Sequence, residues 1–120
     1  MKFFKKIILF LILNITILSN AKAQVGKALS DDSMFHCAYI SAFFTGVWKN
    51  PKDPQEKQLH QEALIVHEAY KKFATQYITK RKLTSAQVNG VADANLSLPF
   101  ETKLNMYLVC RANPNLKPYL

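Results

Sequence analysis

Glycine is scarce in this chain. Its 120 residues include three, at positions 26, 46 and 90, and no two lie close together. A loop that cradles phosphate needs several glycines in one local run, so a nucleotide-dependent enzyme built on such a loop is excluded. Cysteine is equally sparse, with Cys37 and Cys110 the only two. They form no C-x-x-C, so a disulfide-exchange enzyme lacks its motif. The carboxylates number 8 and are scattered along the chain, and spacing confines no pair of them to one cleft. Period-two alternation of useful length is missing, as are internal repeats and low-complexity tracts. What is absent therefore removes the common enzyme classes before any motif is weighed.

What is present begins at the N-terminus. Lys2, Lys5 and Lys6 form a positive head, and a 12-residue apolar run from Ile7 to Leu18 follows, broken only by Asn14 and Thr16. Ser19-Asn20-Ala21-Lys22-Ala23 then places small residues at alternating positions. A charged head, a short apolar run and an A-x-A ending are the parts of a secretory signal, and a signal peptidase admits only small side chains at the two alanine positions. The run falls short of the ~20 residues with which a helix crosses the hydrocarbon core of a bilayer. No cysteine follows it to carry a lipid. The expectation is a signal over residues 1–23, cut after Ala23, and a single domain over 24–120, delivered to the periplasm or secreted.

Cleavage would remove 4 of the 16 basic residues, leaving 12 Lys+Arg against 8 Asp+Glu and a net charge of +4 rather than +8. That balance favours solubility and weak contact with an anionic membrane surface. It does not point to nucleic acid. In an oxidising compartment Cys37 and Cys110 are expected to pair. They are 73 residues apart, and the chain-entropy model gives ~4 kcal/mol for a loop of that size.

The pattern after residue 30 is helical. Asp31, Asp32 and Ser33 offer capping oxygens for a first helix ending at Asn50-Pro51, with Cys37, Ile40, Phe44, Val47 and Trp48 on one face. Gln24–Ser30 reads as a flexible lead. Asp53-Pro54-Gln55-Glu56 is a strong helix start, with Glu56 placed to reach back to the capping residue. Leu59, Ala63, Val66, Tyr70, Phe73 and Tyr77 then recur every three or four residues as one helical stripe. Thr84-Ser85-Ala86-Gln87 opens a third helix over about 85–94, whose apolar face is thin. Pro99 opens a fourth, with Phe100, Leu104, Tyr107 and Leu108 as its buried stripe and Asn113-Pro114 as its stop. The expected fold is all-α: a small four-helix up-down bundle, its first and last helices joined by one disulfide.

The histidines carry no metal motif. His60 and His67 are seven apart, ~10 Å along a helix, so one ion cannot take both. His67-Glu68 is followed by Lys71, where a zinc-protease helix needs its second histidine. All three histidines are expected to be solvated, and no cofactor and no catalytic residue is expected. Two surfaces are candidates for binding. Phe43 and Trp48 on the first helix, with Lys80, Arg81 and Lys82 at the end of the second, form a candidate interaction surface. Phe44, Tyr70, Phe73 and Tyr77 are candidates to line a pocket for an apolar ligand. The string Cys110-Arg111-Ala112-Asn113-Pro114 resembles the second-cysteine region of the small periplasmic acid-stress chaperones over those five residues. The cysteine separation is longer here, and no functional residue carries over. The sequence is thus read as a non-enzymatic interaction module whose partner is another protein or a second copy of itself. A binder of a small apolar ligand or lipid is the alternative.

Overall fold

A computed structural model describes residues 25–120, and the signal expected over 1–23 lies outside the described residues. Those residues form four α-helices, α1 (Asp31–Val47), α2 (Pro54–Arg81), α3 (Ser85–Leu96) and α4 (Phe100–Arg111), and a 3-10 segment over Pro114–Tyr119. No strand occurs among them.

Each boundary has a local cause. Ser30, rather than the acidic pair after it, caps α1 by accepting from the Ser33 backbone N–H. Asp31 and Asp32 lie in the first turn, where negative charge suits the helix dipole. Asp53 Oδ1 accepts from Glu56 N–H at 2.8 Å, and Pro54 stands at the first helical position, its missing N–H costing nothing there. Glu56 reaches back one residue further than the sequence suggests, accepting from Lys52 N–H at 3.0 Å. Lys82 ends α2 in the left-handed region (φ 53°), and Leu83 N–H closes back on Ile78 O. Thr84 and Gln87 make the reciprocal capping box of α3.

Helix α1 is the hub. Met34, Phe35, Cys37, Ala38, Ile40, Ser41 and Phe44 are all buried, so this helix is enclosed on most sides. Helices α2, α3 and α4 each pack on it. Tyr77 bonds to Asp32, and Ser41 meets His67, so α2 runs antiparallel to α1. Helix α4 meets α1 at two levels. Tyr107 touches the Trp48 ring, whereas Cys110, one turn later, is bonded to Cys37. Those two α1 residues are eleven positions apart, ~16 Å along the axis. The packing is centred on α1, on which the other three helices rest. The expected helices and the disulfide are present. Their arrangement depends on large aromatic contacts that helical periodicity does not order.

The Cys37–Cys110 bond joins α1 to α4 across a Cα–Cα distance of 5.7 Å. Asn113 closes the same region. Its Oδ1 accepts from Leu29 N–H (3.0 Å) and Asn115 N–H (3.1 Å), and its Nδ2 donates to Tyr70 Oη (3.2 Å). Tyr70 Oη–H in turn donates to the Cys110 carbonyl. Asn115 Nδ2 donates to Leu29 O at 3.0 Å. The end of the lead is thus tied to the C-terminal 3-10 segment, contrary to its reading as flexible. A buried polar network of this kind is stable because its members satisfy one another.

Candidate functional site

The residues singled out by sequence fall into different environments. Trp48 caps the C-terminus of α1 and is 2% exposed, its ring 5.3 Å from Phe44 and 5.8 Å from Tyr107. It belongs to the core and presents no surface to a partner, because the aromatic side chains of α4 close over it. Phe43 is half-buried. Lys103 Nζ stands 3.7 Å above its ring centroid while donating to Leu96 O at 2.9 Å. Lys103 itself is buried, the charge held by a π-face and a carbonyl at the end of α3. Phe100, expected in the α4 core stripe, is instead 39% exposed.

Lys80, Arg81 and Lys82 are exposed at the end of α2. Arg81 lies over the Tyr77 ring at 5.0 Å, and Tyr77 Oη–H donates to Asp32 Oδ1. The cluster therefore sits beside an acidic first turn, and part of it serves the helix end.

Phe44, Tyr70, Phe73 and Tyr77 do not converge on one pocket. Phe44 packs with Phe43, Trp48, Phe100 and Tyr107, whereas Phe73 meets Tyr119 edge to face and Tyr77 stacks on Phe35. Tyr70 lies in the Asn113 network. Its burial pushes the phenol up to about 12, against a smaller opposing effect of the Asn113 hydrogen bond. Tyr107 is also raised, by burial and then by the nearby Glu62 carboxylate, and its hydroxyl has no hydrogen-bond partner among the described residues.

The histidines are half-buried rather than solvated. His36 Nδ1 accepts from Asn95 Nδ2 at 2.8 Å, joining α1 to α3. His67 Nδ1 lies 3.3 Å from Ser41 Oγ, joining α2 to α1. Burial, and then the Lys71 ammonium, hold His67 below the usual imidazole range. Among the described residues, no three His, Cys, Asp or Glu side chains form a metal-ligand set. Both cysteines are committed to the disulfide, so His36 has no thiol beside it to activate. Asn95-Leu96-Ser97 matches a glycosylation acceptor, but Asn95 is buried and bonded to His36 and Val91 O.

The surface that stands out lies on the outer side of α2. Leu64 and Ile65 are 47% and 61% exposed, outside the stripe that faces the core. With Ala69, Tyr119 and Leu120 they line an open groove of about 370 Å³ between α2 and the C-terminal 3-10 segment, edged by Glu68 and Lys72. Lys72 Nζ reaches Tyr119 O at 3.5 Å, and Glu68 pairs with Lys71 at 3.1 Å, so the rim is charged and the floor apolar. A more polar cleft of about 310 Å³ lies nearer the start of α2, lined by Gln55, Gln58, Leu59, Glu62 and Arg111. The apolar groove was detectable only indirectly in the sequence. Leu64 and Ile65 are apolar residues that miss the three-four periodicity of α2, but the tail's return beside them is a tertiary event. No protein-family model matches the chain, and no curated protein or solved structure shows significant similarity to it.

Proposed function

We propose that this chain is an exported, non-enzymatic interaction module of the inhibitor, immunity or chaperone type, meeting another protein through the outer face of α2. The observation that carries this reading is the groove in which Leu64, Ile65 and Leu120 remain exposed beside Tyr119. None of the three is needed for the core stripe of α2. Covering their exposed portions would contribute about 3–5 kcal/mol, before the cost of association. An apolar floor with a charged rim is the arrangement of a contact surface. The signal-like residues 1–23 and the fully buried disulfide support export to an oxidising compartment. The exposed Lys80, Arg81 and Lys82 favour weak contact with an anionic membrane surface. The alternative, a small apolar ligand among Phe44, Tyr70, Phe73 and Tyr77, has less support, because those rings already pack in separate clusters.

Native mass spectrometry of the chain isolated from the periplasm of its source, beside its Ile65→Asp variant, tests the proposal. The expected result is a complex that Ile65→Asp abolishes while the thermal midpoint moves by no more than about 2 °C, since Ile65 is a surface residue. A bare monomer, or a complex that survives the substitution, would overturn this assignment of the surface. A small-molecule mass released on denaturation would favour the ligand reading.

A further inference from the structure

The geometry points to α3 as a lid on α1, latched by the Asn95–His36 hydrogen bond and able to open while the other helices stay folded. This inference does not depend on the α2 groove binding anything. Its basis is the unequal anchoring of the helices. Seven residues of α1, seven of α2 and five of α4 are buried. Of the 12 residues of α3, the only buried one is Asn95. Its apolar contribution is small: Val88 and Val91, half-buried against the core, and the half-buried methyl of Ala92. Elements with few buried apolar contacts open at a fraction of the global unfolding free energy.

What holds α3 closed is largely polar. Asn95 Nδ2 donates both to His36 Nδ1 and to Val91 O, each at 2.8 Å. The same amide group thus spans α1 and its own helix. Lys103 Nζ holds the other side, donating to Leu96 O at 2.9 Å. Helix α3 is joined to its neighbours through Lys82–Thr84 and Ser97–Pro99. The Cys37–Cys110 bond keeps α4 on α1 whatever α3 does. Helix α3 therefore opens as a flap tethered at both ends. Opening uncovers α1 at His36, the side on which the half-buried Tyr39 and Phe43 recur three and seven residues further on.

A detached helix of this length does not hold its backbone hydrogen bonds in water. Opening therefore unravels α3, and its amides report the event. Gly90 lies inside α3 with nothing within 4 Å of the position a Cβ would take, so alanine fits there without rearrangement. The test is amide hydrogen exchange by mass spectrometry on the wild-type chain and on Gly90→Ala and Asn95→Ala. In the wild type, amides over 85–96 should exchange at least ten-fold faster than the slowest amides of α1, and with little dependence on added denaturant. Gly90→Ala should slow α3 exchange about five-fold, the usual helix advantage of alanine over glycine. Asn95→Ala should speed it about ten-fold through loss of the buried amide's hydrogen bonds. Helices α1 and α4 should be unchanged in both variants. Exchange of α3 at the rate and denaturant dependence of α1 would overturn the inference, as would either substitution altering all four helices by the same factor.

Discussion

Replacing both Cys37 and Cys110 with alanine isolates what the cross-link contributes. The bond closes a loop of 73 residues. In the chain-entropy model, freeing a loop of that length raises the entropy of the unfolded chain enough to destabilise folding by ~4 kcal/mol. A domain of this size has a total stability on the order of 5–14 kcal/mol, so the substitution should remove a large share of it without abolishing the fold. Alanine is the suitable replacement, because both sulfurs are buried and a serine hydroxyl there would need a new partner. The assay is urea unfolding followed by fluorescence. Trp48 is the only tryptophan in the chain, and it reports the packing of the Phe44–Trp48–Tyr107 cluster. With a slope of about 1.5 kcal/mol per M, the midpoint should fall by ~3 M. The slope itself should rise, because an unfolded chain without the cross-link exposes more surface. A midpoint shift below about 0.5 M, with an unchanged slope, would refute the view that the disulfide acts by restricting the unfolded chain.

Two buried tyrosines should respond oppositely to loss of their hydroxyls. Tyr70→Phe breaks the bonds to Cys110 O and Asn113 and should cost about 1–3 kcal/mol, whereas Tyr107→Phe removes a hydroxyl with no partner among the described residues and should be neutral or stabilising in the same urea titration. An ultraviolet pH titration should find one tyrosine, absent from the Tyr70→Phe difference spectrum, ionising at about 12. His67 lies below its ordinary value of 6.5 in the folded chain, so the unfolded chain takes up that proton first as the pH falls. Stability should therefore decline as pH drops through about 6.5 and level off below the folded value. Thermal midpoints measured between pH 7.5 and 5 should show this slope, and His67→Gln should flatten it.

The helices themselves were legible in the residues. Asp53-Pro54, Thr84 with Gln87, and Asn113-Pro114 act through their immediate neighbours, and a cap or a missing N–H needs no tertiary partner. The stripe from Ala63 to Phe73 has one period, so its inward face followed directly. The pairing of two lone cysteines needed only their number and a compartment, and the cross-link is present. Tertiary structure decided everything that depends on which distant residues meet. Trp48 is core because Tyr107 of α4 closes over it, and Phe44, Tyr70, Phe73 and Tyr77 are divided because each meets different distant partners: Tyr107, Asn113, Tyr119 and Phe35 in turn. Lys103 is buried because Phe43 and the last turn of α3 both receive its ammonium. The groove beside Leu64 and Ile65 exists because residues after Pro114 form a 3-10 segment that returns to α2. Local order follows from groups a few residues apart along the chain. The surfaces available for function are set by contacts between residues up to 86 positions apart, as in the Asn115–Leu29 bond, and periodicity does not encode those distances.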